Sequence, residues 1–479
     1  MVQRCYDVIV FGATGDTGSA CARLIYHFAD KFKISKWTMA CRNLNKLQEK
    51  VIKPLINAAP NGCKWSGEPI QADSDNLDSL VEMCKQTKVV IACAGPYAYY
   101  GEKVIAACIK AKTNYVDVTG ETDWVNDMRK FYGKSAREAG VSIVSFCGYD
   151  SVPSDISAWM LANSLCEANP NDPPAVIETY IASESAGGGA IPNGTIRTLL
   201  RMVNNIRYKY SFGLLGVAPV NADAKVKELH TTATIDNNSD SHVQDILKRT
   251  KRDIQNNNSK FISQILLGDK AIKNSTHQMG RINIGIVHET GVNLGFDDFQ
   301  YYERQISGGR RAWELHENGD DKNNKSGGGI ESAIGYGTML QAIPMAFTPW
   351  FDDWVMAKVK EINSAGSDDN DSLNLIQRLM NEGKNTGYTN MTGYAISKSK
   401  KLLAKSTLET NYEPGIGFTM TCACAVANVL ANQMDSSLPS NNSGFNTPVI
   451  ACGGEKLKEA LINAGVNISC EVNPTDSKL

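Results

Sequence analysis

From residue 6 to residue 146, short β-branched apolar runs alternate with longer segments in which apolar residues recur every three or four positions. Runs of the first kind suit buried strands, and segments of the second suit helices with one apolar face. The pattern predicts strands at 6–11, 37–40, 69–72, 89–93, 114–118 and 141–146, with helices at 17–33, 44–58, 77–86, 101–112 and 122–139. Ala20, Leu24, Ile25 and Phe28 fall on one face of the first helix, as packing on a sheet requires. Alternation of this kind predicts a parallel sheet covered by helices.

Beyond Asp150 the alternation loosens. A helix at 156–166 gives way to the turn-forming Asn169-Pro170-Asn171-Asp172-Pro173-Pro174, and strand-like runs recur at 176–182, 226–232, 281–287 and 299–305. This reads as a second α+β domain. Residues 317–329 and 365–372 have the polar composition of surface loops, 447–470 repeats strand, helix, strand, and the chain after residue 472 reads as unstructured. The expected organisation is a first domain over 1–150, a second over 151–472 whose C-terminal part can pack back on the first, and a free tail over 473–479. A chain of 479 residues is long enough for two cores.

Composition narrows the partners. With 42% hydrophobic and 21% charged residues and a net charge of −2, nothing in the bulk attracts nucleic acid or an anionic membrane, and a small-molecule substrate is expected. The most apolar stretches, 339–350 and 417–434, are broken by prolines, glutamine or asparagines, so no transmembrane segment is expected. The 13 cysteines form no CxxC pair and the opening residues lack a secretory leader pattern, which predicts free thiols. The six histidines show no ligand spacing, so no metal site is expected.

The first strand runs into Gly12-Ala13-Thr14-Gly15-Asp16-Thr17-Gly18 and then a helix. A helix start leaves backbone N–H groups unsatisfied, and glycines let a pyrophosphate approach them. This strand-loop-helix context predicts a Rossmann-type dinucleotide-binding domain with a doubly wound sheet. An acid at the end of the second strand would bond the ribose 2′-OH, but the chain offers Cys41-Arg42-Asn43 with Lys46 one turn on. Arg42 can pair with a 2′-phosphate, which predicts NADP(H); a solvated arginine at a strand end is the alternative. Asp73 suits either a contact to adenine or a turn.

Ligands of such sheets bind beyond the carboxyl ends of the strands. Strand four ends in Ala94-Gly95-Pro96-Tyr97, strand five in Asp117-Val118-Thr119-Gly120-Glu121 and strand six in Gly148-Tyr149-Asp150. Backbone-approach residues at 94–97 suit the cofactor, and Tyr97, Asp117, Glu121, Tyr149 and Asp150 are the candidates to exchange a proton during hydride transfer. Tyr97 fits a core tyrosine as well. Thr119 with Glu121, and Ser154 with Asp155, also fit helix caps with acidic first turns.

Together, the Gly12–Gly18 loop, Gly95-Pro96-Tyr97 with Gly101, Tyr115 to Glu121, and Gly148 to Asp155 resemble the saccharopine dehydrogenase-like oxidoreductase family. The resemblance is specific over the first 165 or so residues; Gly187-Gly188-Gly189, Asn193-Gly194-Thr195, Glu413-Pro414-Gly415 and Asn446-Thr447-Pro448 extend it more weakly. Family members include trans-acting enoyl reductases, with saccharopine reductases more distantly similar. The resemblance implies NADP(H) and a second domain for substrate and homodimer contacts. Cys41 stands where the family commonly has glycine.

The expected activity is hydride transfer between NADP(H) and a C=N, C=C or C=O bond, of a lipid-linked or other small substrate. The alternatives are saccharopine reductase chemistry proper and a non-catalytic NADP(H) sensor or scaffold. Ser477-Lys478-Leu479 reads as an address for the peroxisomal import receptor, which predicts a peroxisome or glycosome.

Overall fold

The computed structural model describes residues 4–57, 65, 67–185, 241–256, 274–277, 279–306, 387–434 and 443–475. The predicted strand at 226–232, the loops at 317–329 and 365–372, the glycine-rich 187–195 segment, the apolar 339–350 stretch and the Ser477-Lys478-Leu479 address lie outside them.

The first sheet holds β1 (Tyr6–Phe11), β2 (Trp37–Cys41), β3 (Ile70–Gln71), β4 (Thr87–Ala92), β5 (Asn114–Asp117), β6 (Ser142–Val144) and β12 (Gly444–Asn446). Their order is β12-β6-β5-β4-β1-β2-β3, every pairing parallel. The order reverses between β1 and β4, the switch point at which such a sheet binds its ligand. Buried runs such as Val8-Ile9-Val10-Phe11 have no polar face because both faces are covered. Val8 and Val10 pack toward the Asp16–Phe32, Ile416–Gln433 and Gly454–Asn463 helices. Ile9 and Phe11 pack toward the Leu77–Cys84, Glu102–Ala111 and Thr122–Ala139 helices.

One cover of this sheet therefore comes from far along the chain. The Ile416–Gln433 helix is apolar almost all round, with Phe418, Met420, Cys422, Ala425 and Leu430 fully or nearly fully buried, as expected of a helix packed on several sides. Residues 417–434 are thus a buried helix; among the described residues no helix is long and apolar enough to cross a membrane.

The second sheet is mixed, in the order β13-β11-β10-β7-β9-β8. It comprises β7 (Pro174–Ser185), β8 (Asn274–Thr276), β9 (Gln300–Ile306), β10 (Gly387–Ser397), β11 (Leu402–Thr410) and β13 (Asn467–Pro474), with only β7 and β9 parallel among its pairs. The Val152–Ala168 and Gly280–Asn293 helices cover it around Leu161, Leu165, Ile177, Ile284, Val287 and Tyr301. The α/β first sheet and α+β second sheet agree with the fold class that the pattern predicts.

Three local expectations need correction. Residues 281–287 form part of the Gly280–Asn293 helix rather than a strand. The alternation of Ile282, Ile284 and Ile286 suggests period two, but Asn283, Ile284, Val287, His288, Thr290 and Gly291 are buried as well, so the segment is enclosed on several sides and tertiary packing overrides β-branched propensity. The predicted 44–58 helix widens over Gln48–Ile52 before resuming at Lys53–Asn57. The chain after residue 472 is ordered as far as Pro474, which pairs with Leu402 at the end of β13.

Candidate functional site

The glycine loop is built by close backbone approach at two of its three glycines. Gly12 adopts φ +84°, a Cβ there would stand 2.9 Å from Ala94 N, and its own N–H donates to Ala40 O at 2.9 Å. A Cβ on Gly18 would stand 2.3 Å from Gly12 O. Gly15 differs, since a Cβ there would meet Gly12 O alone among the described residues, at 3.4 Å. Gly15 is exposed and begins the Asp16–Phe32 helix without a side-chain cap. Gly12 and Gly18 thus serve the fold, and Gly15 leaves the helix start open. Ala13 is buried beneath the loop, Thr14 and Thr17 are partly exposed, and Asp16 is exposed.

Arg42 is exposed at the end of β2, its carbonyl accepting from Gln71 Nε2 at 3.2 Å. Asn43 caps the next helix by accepting the Lys46 N–H at 2.9 Å. Asp73 Oδ1 accepts the Asp75 N–H at 3.0 Å within a turn after β3.

The structure divides the five proton-exchange candidates. Tyr97 is buried beside Trp124 and donates its hydroxyl to Ala92 O at 3.0 Å, so the ring points into the first core while its backbone stays in the loop with Ala94, Gly95 and Pro96. Burial, reinforced by Asp117, pushes its hydroxyl pKa well above the ordinary range. Glu121 accepts the N–H groups of Tyr97 and Ala98 at 2.8 and 3.2 Å and so caps the short Tyr97–Tyr100 helix. Asp117 accepts from Thr119 N and Ser145 Oγ, each at 3.0 Å; burial raises its carboxyl to about 7 against the pull of these hydrogen bonds. The polar atoms of these three build the loops after β4 and β5.

Tyr149 and Asp150 stand elsewhere, on the loop after β6 where it meets the second sheet. The Tyr149 N–H donates to Thr419 Oγ1 at 3.3 Å, and its ring lies 5.7 Å from Phe418. Glu413 tethers the start of the same Ile416–Gln433 helix by accepting the N–H groups of Gly415, Ile416 and Gly417. Asp150 is exposed, and its carboxylate lies in electrostatic reach of His277, which favours its charge, and of Glu303, which opposes it.

Sequence reasoning missed the group beneath Asp150. Asn283 Nδ2 donates to the Asp150 carbonyl at 2.6 Å and to Glu303 Oε1 at 2.9 Å. The Tyr301 hydroxyl donates to Glu303 Oε2 at 2.8 Å and accepts from Thr179 Oγ1 at 3.0 Å. His277 Nδ1 completes the set by pairing with Glu303 Oε1. Reading 281–287 as a strand hid this cluster. The available signal was Asn283, a polar residue set among Ile282, Ile284, Ile286 and Val287, where a polar group must find partners.

Comparison with known proteins bears on the same region. Residues 8–144 match the model of the saccharopine dehydrogenase NADP binding domain. These residues belong to that domain family. A lipid droplet localized protein of Caenorhabditis elegans is 38% identical over 163 residues, 33% of this chain and 36% of that protein. A probable mitochondrial saccharopine dehydrogenase-like oxidoreductase of Arabidopsis thaliana is 32% identical over 227 residues, covering 47% and 45%. A trans-acting enoyl reductase of Mycobacterium bovis is 33% identical over 159 residues, covering 33% and 36%.

The matches thus span less than half the length of these relatives. Among solved structures, apo saccharopine dehydrogenase (L-Glu forming) of Saccharomyces cerevisiae aligns over 98% of this chain and 100% of its own, at 13% identity and a TM-score of 0.43. The relatives' names, lipid droplet in one case and mitochondrial in the other, lend no support to the peroxisomal or glycosomal expectation.

Proposed function

We propose that this protein is an NADP(H)-dependent oxidoreductase that transfers hydride to or from a C=N, C=C or C=O bond of a small substrate held where the two sheets meet. The observation that carries the reading is the contrast within the glycine loop. Gly12 and Gly18 are closed by backbone, whereas Gly15 leaves a space that a Cβ would fill, in front of an uncapped helix start. Such a cradle suits a pyrophosphate. In this reading the backbone of Gly12, Ala13, Thr14, Gly15, Asp16, Thr17 and Gly18 holds the pyrophosphate, Arg42 takes the 2′-phosphate, Asp73 borders the adenine, and Ala94, Gly95, Pro96 and Tyr97 border the nicotinamide end.

Bound NADPH would supply the hydride. The chain's own residues orient the acceptor and manage the proton. The name of the mycobacterial relative makes a lipid-linked C=C bond the first acceptor to assay, although fold and cofactor outlive changes in chemistry. NADPH and NADH titrations of the native chain and Arg42→Ala test the cofactor assignment. Arg42→Ala is expected to lose about tenfold or more in NADPH affinity and little for NADH; equal affinities in the native chain would overturn it. NADPH oxidation with an enoyl thioester, an imine and a ketone then tests the reaction, and bound NADPH with no turnover on any of them would favour the sensor reading.

A further inference from the structure

His277 takes no part in the cofactor contacts proposed for the first sheet. Its Nδ1 pairs with Glu303, whose side chain is wholly enclosed, while 6% of the His277 side chain stays exposed. The pair therefore meets solvent only through the imidazole, whose Nε2 takes no partner among the described residues. Asn283 and Tyr301 hold the two oxygens of Glu303, a carboxylate–imidazole arrangement that fixes tautomer and ring direction. Two residues on, Met279 Cε lies 3.4 Å from where a Cβ of Gly120 would be, on the loop after β5. Asn283, in the helix that follows, bonds the Asp150 carbonyl on the loop after β6. The second sheet thus brings this histidine to the loops at the carboxyl ends of the first, where a doubly wound sheet places its ligand.

We propose that His277, oriented by Glu303, is the proton donor and acceptor of this site and lies beside the nicotinamide end of bound NADP(H); this rests on the hydride-transfer reading. In the reducing direction the substrate's double bond takes a hydride at one carbon, its π electron pair moves to the far atom, and that atom takes the proton leaving His277. Glu303 stabilises the imidazolium before transfer, and solvent returns the proton afterwards. The reverse direction runs the same steps backwards.

The groups around the imidazole fit this role. Glu303 and Tyr301 face it from β9, Asn283 from the Gly280–Asn293 helix and Asp150 from the loop after β6, with Tyr149 in electrostatic reach of Asp150, Glu303 and Glu413. Burial alone would lower the imidazole pKa, but Glu303 and Asp150 outweigh it and raise it. Burial would raise Glu303, but His277 with Ser154 and Asn283 outweighs it and lowers the carboxyl.

The test needs no substrate. The full chain, labelled with 13C at histidine Cε1, is titrated by NMR with NADPH or NADP+ bound, the His277 signal being identified by its loss in His277→Gln and by its displacement in Glu303→Gln. The oxidised ring carries a positive charge that the reduced ring lacks, so a nearby imidazolium is disfavoured by NADP+. The His277 pKa is expected about half a unit or more lower with NADP+ than with NADPH, and lower in Glu303→Gln with either cofactor. Equal values with both cofactors bound overturn the proposal and leave the hydride-transfer reading standing. A chain that binds neither cofactor sinks both. A merely structural histidine would follow Glu303→Gln but ignore the redox state of the cofactor.

Discussion

The carboxylate of Glu121, from the loop after β5, accepts the backbone N–H groups of Tyr97 and Ala98 at 2.8 and 3.2 Å, and so fixes the loop after β4 from its neighbour. Glu121 is 1% exposed and Tyr97 is buried, so the Tyr97 N–H has no water to fall back on. Glu121→Gln keeps the shape but offers one acceptor where two donors wait, and its amide N–H faces a donor. Stability should fall by about 1–3 kcal/mol, read as a lower urea midpoint, and NADPH affinity should fall with it because Gly95 and Pro96 lose their anchor. Unchanged affinity would show that the loop keeps its place without this cap.

The three glycines of the first loop should respond differently to alanine. At Gly18 the new Cβ would press on Gly12 O at 2.3 Å, backbone against backbone, so Gly18→Ala should destabilise the cofactor-free protein by roughly 1–3 kcal/mol or more. At Gly15 the nearest contact is 3.4 Å, and Gly15→Ala should leave the cofactor-free protein within about 1 kcal/mol of native while lowering NADPH affinity about tenfold or more by filling the phosphate space. Thermal melts with and without NADPH separate the two. Equal loss of cofactor-free stability in both variants would contradict the open space at Gly15.

How far the sequence discloses this site depends on what each residue's role requires. Gly12–Gly18 is legible because a strand, a tight loop and a helix occupy consecutive residues, and Arg42 because it follows a strand by one position. Tyr97, Asp117 and Glu121 stand out as chemically able groups, but the hydrogen bonds by which they brace the loops after β4 and β5 depend on which backbone groups lie opposite across neighbouring strands. His277 and Glu303 are 26 residues apart and meet because β8 pairs antiparallel with β9, Thr276 opposite Arg304, with the His277 N–H donating to Glu303 O at 3.3 Å. No local periodicity encodes that meeting. The cover supplied by Ile416–Gln433 is likewise a long-range fact, visible beforehand only as a run of small apolar residues.

The acid groups give a pH dependence of stability whose sign can be worked out. Burial raises both Asp117 and Asp155 to about 7, against an unfolded value near 3.9. Below the unfolded value both states hold the proton and there is no penalty. As pH rises from about 4 to 7 the unfolded chain releases protons that the folded chain retains, so stability falls, by up to about 4 kcal/mol for each group at 1.36 kcal/mol per pKa unit. Asp117→Asn should therefore narrow the difference between urea midpoints at pH 5 and pH 8. A difference as large as that of the native chain would show that Asp117 ionises in the fold without this cost.

The helices that cover the two sheets are locked together at one tight contact. Trp159, on the Val152–Ala168 helix that covers the second sheet, lies flat against the Gly454–Asn463 helix that covers the first; a Cβ on Gly454 would stand 2.1 Å from Trp159 Cε2 and 2.3 Å from Cδ2. Both helices are anchored along their lengths, so the indole has little room to retreat. Gly454→Ala should cost about 1–3 kcal/mol through overpacking, and Gly454→Ala combined with Trp159→Leu should recover part of that loss because the smaller side chain frees the space. Paired urea titrations of the two single variants and the double variant measure the coupling. Strict additivity would mean that the indole does not press on this glycine. Recovery of stability in the double variant would show that Gly454 and the Trp159 indole compete for one space between the two helices.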